Sequence, residues 1–302
     1  MRQSTRWDAV DCLKIGGVAS AAIADLLDGP AQPAELIGSF PVAVYLRTAG
    51  GVVALVGPDA VRLPNAMVLA RTDFAPVARH AATGALHVGD GGVQVGPVRV
   101  TAGRWWDPVP RLGRLDSDAL AVRIDEIRSL LAEWPEPHDP TAGRLRTGRD
   151  VLVAALAEGG DVAAAAGALV GLGPGLTPAG DDLLAGVMAG LVVFGRALER
   201  AGTLAAAERL RSAVLEHAAA TTPLAADLTA HAARGALVQP AAELCRVIAD
   251  QRPSSEKALE PALERLLRIG HTSGRDLAEG LLLGASTALS WVGTRLRRSS
   301  GE

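Results

Sequence analysis

The chain has 302 residues, 49% hydrophobic and 21% charged, with a formal net charge of −3. Such a length and apolar fraction suit one large or two medium globular domains. The slightly acidic balance supplies no general field for nucleic acid or an anionic membrane. Lys14 and Lys257 are the only lysines, so lysine-dependent chemistry has few candidates. Cys12 and Cys245 lie far apart, without C-x-x-C or zinc-type spacing, and read as free thiols. Asp8, Asp11 and Lys14 interrupt any apolar leader, and the apolar run 183–195 falls short of the about 20 residues a bilayer span needs. The expectation is a cytoplasmic protein with neither nucleic acid nor membrane as a partner.

In chain order, residues 18–27 have the spacing of a first helix. Short strand-like runs follow at 42–46, 52–56, 67–70, 86–88, 93–95 and 98–100, punctuated by Pro58, Pro64, Pro76 and Pro97. His87-Val88-Gly89-Asp90-Gly91-Gly92-Val93 reads as a hairpin, with Asp-Gly-Gly supplying the positive φ of its turn. From about Asp116 the texture changes to alanine- and leucine-rich helical periodicity. Helices are expected at 119–132, 150–157, 162–170, 178–200, 203–217, 224–234, 240–249, 255–267 and 274–298. The fold class expected is α+β: a β-rich N-terminal domain, 1–115, packed on a mainly helical domain, 116–302, that carries two similar glycine-rich helix starts.

The first helix start is Gly171-Leu172-Gly173-Pro174-Gly175-Leu176-Thr177-Pro178-Ala179-Gly180-Asp181-Asp182-Leu183-Leu184-Ala185-Gly186. Gly171 can end the preceding helix in a left-handed conformation, and Thr177-Pro178 reads as N-cap followed by N1. Gly171, Gly173 and Gly175 let backbone N–H groups converge beside a helix N-terminus, which makes an anion site. Gly180 costs about 1 kcal/mol against alanine, a cost tolerated where a ligand or another backbone approaches closely. Asp181 and Asp182 point about 100° apart, so one can face the ligand while the other serves structure. No Gly-Lys-Ser/Thr follows, which excludes a P-loop.

The second start is His271-Thr272-Ser273-Gly274-Arg275-Asp276-Leu277-Ala278-Glu279-Gly280. Aligned on glycine, both copies read Gly-x-Asp-Leu-x-x-Gly-x-x-x-Gly, pairing Gly180 with Gly274, Asp182 with Asp276, Gly186 with Gly280 and Gly190 with Gly284. Two helices related by approximate internal symmetry, packed through their small faces, would bring both starts to one cleft. In that cleft His271, Asp181, Asp182, Ser273 and Asp276 are the catalytic candidates, with His271 a proton carrier. Gly171, Gly173, Gly175, Thr177, Gly180, Thr272, Gly274 and Arg275 are the substrate-binding candidates, Arg275 as a bidentate anion contact. Asp181 and Asp182 would hold Mg²⁺ where a phosphoryl group is handled. His138, His217 and His231 read as surface or structural, Trp105-Trp106 as core or interface, and Thr221-Thr222-Pro223 as a further helix cap.

The first motif, followed by Gly-His-Thr-Ser-Gly-x-Asp, resembles the family of the AllH subunit of oxamate carbamoyltransferase. Ala179 departs from the pattern, which has Ser there in many members, so no hydroxyl is available at that position. The resemblance implies phosphorolysis of oxalurate to oxamate and carbamoyl phosphate, or its reverse, beside FdrA-like and AllG-like partner subunits. The substrate would be a small anion. A non-catalytic scaffold subunit and a metal-dependent phosphotransferase are the competing readings.

Overall fold

The computed structural model describes residues 12–70, 74–135, 140–158, 160–250, 252 and 256–291. His138 and the expected helix end at 292–298 lie outside them. Contacts divide the chain into two compact units at Pro108 and Val109. The α+β class is observed, with strands concentrated in the first unit and helices in the second.

The first unit contains β1 (Leu13–Ser20), a 3-10 turn (Ala21–Ile23), α1 (Ala24–Asp28), β2 (Gln32–Pro33), β3 (Glu35–Phe40), β4 (Ala43–Thr48), β5 (Gly51–Val56), β6 (Ala66–Leu69), α2 (Ala75–Ala81), β7 (Leu86–Gly89), β8 (Gly92–Val95) and β9 (Val98–Trp106). The nine strands form one mixed sheet in the order β2-β7-β8-β9-β1-β6-β5-β4-β3. Its central strand, β1, runs parallel to β9 and antiparallel to β6. Residues 18–20 therefore belong to a strand, not to the helix expected over 18–27. Pairing along both edges outweighs the weak helical spacing there, and Ser20 then caps the turn that leads into α1. The hairpin at 87–93 is observed: β7 and β8 pair antiparallel across Asp90 (φ 51°) and Gly91 (φ 82°). One face of the sheet buries Ile15, Leu46, Leu55, Met67, Val93 and Val100 together with Leu27 of α1 and Val77 of α2.

The second unit contains α3 (Ser117–Glu133), α4 (Ala142–Glu158), α5 (Val162–Gly167), α6 (Ala179–Ala197), α7 (Ala201–Glu216), a 3-10 turn (Ala218–Ala220), α8 (Pro223–Ala232), α9 (Gln239–Ala249), α10 (Glu256–Leu267) and α11 (Ser273–Ser290). Almost every residue of α6 is buried, which makes it the central helix of the bundle. Two apolar clusters flank it. One joins Val193 and Phe194 to α3, α9, α10 and α11; the other joins Leu183, Val187 and Leu191 to α4, α5 and α7.

The packing of α6 on α11 is backbone on backbone. A Cβ built at Gly280 would lie 2.9 Å from the Gly186 Cα, and one built at Gly284 would lie 2.9 Å from the Gly190 Cα. The carbonyl oxygens of Leu183 and Val187 face Gly280 and Gly284, while those of Leu277 and Leu281 face Gly186 and Gly190. These contacts are reciprocal and advance along both helices in the same direction. The helices are therefore parallel, related by an approximate twofold axis along the seam, and both N-termini lie at one end.

Gly280→Val has no room to relax into, because its obstacles are backbone atoms. It should destabilise the bundle by about 3 kcal/mol or more in chemical denaturation. By contrast, exposed Gly143 in α4 has open space around a built Cβ. Gly143→Ala should be neutral or stabilising by up to about 1 kcal/mol.

Candidate functional site

The loop that enters α6 is held from two sides. Gly171, Gly173 and Gly175 take φ of 70°, 115° and 97°, conformations that disfavour any side chain. Asp181, almost fully buried, accepts at Oδ2 from the Gly171 N–H (3.1 Å) and from Thr221 Oγ1 (2.6 Å). Thr222 Oγ1 donates to the Leu176 carbonyl at 2.5 Å and accepts from Ala225 N as the N-cap of α8. Thr221-Thr222-Pro223 thus caps its own helix and clasps the loop. Its Thr-Thr-Pro sequence carried the capping signal; the clasp depends on a contact between segments 40 or more residues apart.

Thr177 does not cap α6. The cap position falls on Pro178, which has no side chain to donate or accept, and the Thr177 hydroxyl instead meets Ser273 Oγ at 3.0 Å. That contact joins the two helix starts directly. Ser273 opens α11, where Thr272 occupies the cap position without a side-chain bond. Asp182, one residue around the helix from Asp181, turns to the same place. The hydroxyls of Ser273 and Thr177 lie beside its carboxyl and favour its charged form, and Asp276 of α11 lies close enough to repel it. Asp182 Oδ2 is buried and finds no partner among the described residues.

Burial is the largest influence on Asp182 and pushes its carboxyl well above the usual range, reinforced by the neighbouring Asp276 and Asp181 charges. The Ser273 and Thr177 hydroxyls oppose the shift without cancelling it. Asp181 is also raised by burial, against hydrogen bonds from Thr221 and Gly171. The cluster thus places a carboxyl prone to hold its proton beside a second buried carboxyl and two hydroxyls, at the joint positive ends of two helix dipoles.

Other predicted residues fall elsewhere. The N–H groups of Gly180 and Gly274 are engaged by the carbonyls of Leu172 and Ile269, and their Cα faces press on the carbonyl oxygens of Leu169 and Leu266. Close backbone approach, rather than ligand approach, accounts for these two glycines. The Gly171 N–H is likewise engaged, by Asp181, whereas Gly175 has open space around a built Cβ. Arg275 does not face the cluster. It pairs with Glu279 at 3.1 Å and donates to the Leu131 and Trp134 carbonyls, closing the C-terminal end of α3. With Asp276 turned to Asp182, its sequence neighbour must point about 100° away. His271 is exposed in the turn before α11. His217 donates from Nδ1 to the Ala213 carbonyl, His231 is buried beside Asp227, and Trp105 is exposed at the end of β9. Asp181 and Asp182 diverge to separate partners, and no group of three or more His, Cys, Asp or Glu among the described residues is placed to hold a metal ion.

This geometry defines a helical bundle built on a parallel, glycine-paired helix couple with an acidic and hydroxyl cluster at its shared N-terminal end. Residues 169–285 match the model of the family described as oxamate carbamoyltransferase subunit AllH. The resemblance carried by the two motifs is borne out over that span, which contains α6, the clasp and the first turns of α11. No solved structure matches the chain. Among the described residues, no helix is long and apolar enough to cross a membrane.

A carboxyl raised by folding binds its proton more tightly in the folded than in the unfolded chain. Stability is therefore lost as pH rises from about 4, the ordinary carboxyl value, through the raised one. Asp182→Asn removes that loss. Its stability should vary less than that of the parent between about pH 4 and neutrality, measured by denaturant titration at each pH. Equal slopes in the two proteins would show that Asp182 is not raised by burial.

Proposed function

We propose that the chain is a subunit of a carbamoyltransferase of the oxamate type, acting in a complex with FdrA-like and AllG-like subunits. The observation that carries this reading is the coincidence of the family match with the cluster of Thr177, Asp182, Ser273 and Asp276. A ureido substrate and phosphate are small, hydrogen-bonding and together anionic. Converging helix N-termini supply positive potential for such anions, and the Gly173 to Thr177 stretch of the loop offers backbone donors beside them.

In the reaction inferred, a phosphate oxygen attacks the ureido carbon of oxalurate. The bond from that carbon to the oxamate nitrogen breaks, and its electron pair stays with nitrogen. The nitrogen takes up one proton, and the attacking hydrogen phosphate gives one up. The products are oxamate and carbamoyl phosphate. Asp182, protonated more readily than an ordinary aspartate, suits the donor to the leaving nitrogen. Asp276 suits the acceptor, either of the phosphate proton or of the carbamoyl N–H. Ser273 and Thr177 can donate to the carbamoyl oxygen as charge develops there. His271, exposed at the rim, suits proton exchange with solvent.

The test is co-expression with the two partner subunits and assay of carbamoyl phosphate formed from oxalurate and phosphate. Asp182→Asn and Asp276→Asn should each lower kcat by about 10²- to 10⁴-fold while the complex still assembles. Turnover within about threefold of the parent in both variants, a loss of well under 1 kcal/mol, would move the chemistry to another subunit.

A further inference from the structure

The contact between the two helix starts rests on how Thr177 is held. Its hydroxyl stands 3.0 Å from Ser273 Oγ, the long end of an O–H···O bond, so a small displacement of Thr177 breaks the contact. On its C-terminal side Thr177 is followed by Pro178, whose ring confines the residue before it to extended backbone. On its N-terminal side it shares a peptide group with Leu176, and the carbonyl of that peptide is bound by Thr222 at 2.5 Å.

The direction of that bond is unambiguous. Thr222 Oγ1 accepts from Ala225 N at 3.0 Å, so its single proton goes to the Leu176 carbonyl. The platform that carries Thr222 is itself anchored: Leu224 and Ala225, in the first turn of α8, are buried, and α8 packs on α6. In a trans peptide the carbonyl and the N–H point in opposite directions. With the Leu176 carbonyl drawn to α8, the Thr177 N–H is turned away from α8, and it meets no acceptor among the described residues. Rotation of this peptide would swing Thr177 as a whole, taking its hydroxyl away from Ser273 and Asp182.

We propose that Thr222 is a positioning residue for carbamoyl transfer. Through the Leu176 carbonyl it sets the peptide plane from which Thr177 hangs, and so aims the Thr177 hydroxyl at the carbamoyl oxygen. The inference rests on the carbamoyl-transfer reading and adds a third element, the start of α8, to a site otherwise made by α6 and α11.

Thr222 has two roles, cap of α8 and clamp of the loop, and substitution separates them. Thr222→Asp keeps a good cap, but at neutral pH its carboxylate only accepts and cannot bind a carbonyl. Thr222→Val keeps the shape and loses both roles without adding charge. Thr222→Ser keeps both. In the complex with the partner subunits, assayed at neutral pH for carbamoyl phosphate from oxalurate and phosphate, Thr222→Asp and Thr222→Val should each lower kcat by about tenfold, the loss expected for one hydrogen bond. KM should change by less than about twofold, because the positioned hydroxyl acts on charge that develops in the transition state. Thr222→Ser should stay within about threefold of the parent. Only Thr222→Val should also lower the denaturation midpoint of the chain, so a defect in the folded Thr222→Asp chain is not one of stability. Turnover within about threefold of the parent in either Thr222→Asp or Thr222→Val, or a tenfold loss in Thr222→Ser, would overturn the positioning role while leaving the carbamoyl-transfer reading in place. A parent complex that forms no carbamoyl phosphate would overturn that reading and this role with it.

Discussion

The second unit depends on the contact between the backbones of α6 and α11. Four glycines let carbonyl oxygens of one helix sit where side chains of the other would stand. That approach fixes both the register and the parallel direction, since any slip brings a side chain into the seam. Register then decides the chemistry. Locking Gly186 against Gly280 sets the two first turns side by side, and only then do Thr177 and Ser273 touch across 96 residues of sequence. A looser pair packed through larger side chains would hold the same residues too far apart to hydrogen-bond.

Parallel helices carry an electrostatic cost that antiparallel neighbours avoid, because like ends of two dipoles lie together. The acidic residues in the first turns answer it: Asp181 and Asp182 on α6, and Asp276 on α11. They do so at different depths and with different partners. Asp181 is used up in fixing the loop through Gly171 and Thr221. Asp182 faces another carboxyl, so burial and mutual repulsion work against the charge that the helix ends favour. The balance leaves a carboxyl that holds its proton more tightly than an exposed aspartate does. This is a useful state for a group that moves a proton, and an unneeded expense for one that only holds structure.

The parts legible in the sequence were those with a strict local or periodic signature. The repeated Gly-x-Asp-Leu-x-x-Gly-x-x-x-Gly pattern specified two small-faced helices, and the Asp90-Gly91 turn specified its hairpin. The parts misread were decided by distant partners. Residues 18–20 have helical spacing, yet β1 is paired on both edges, and sheet pairing is invisible to a local window. Thr177-Pro178 has the composition of a cap, but the helix begins one residue later and releases the hydroxyl for Ser273. Arg275 sits inside the motif and is directed away from it by the 100° step between helical neighbours. Inclusion in a motif says that a residue is near a site along the chain, not that its side chain faces it.

The same logic explains why Gly180 and Gly274 recur at equivalent positions without lining the cluster. Each lies against a carbonyl oxygen of the segment before its own helix, Leu169 for α6 and Leu266 for α11. Any Cβ there would push the helix start away from that segment. Such a displacement would be transmitted along a stiff helix to the glycine seam, and across it to the partner helix. The internal symmetry therefore covers more than the seam: each copy has a glycine that seats its N-terminus and two that seat its flank. The polar groups of the two helix starts do not repeat. Asp182 and Asp276 correspond, but Ser273 corresponds to Ala179 and His271 to Thr177, so the hydroxyls that meet across the seam come from non-equivalent positions. A repeated scaffold with an asymmetric set of polar groups can distinguish the two ends of an unsymmetrical ligand, which a symmetric pair of helix starts could not do.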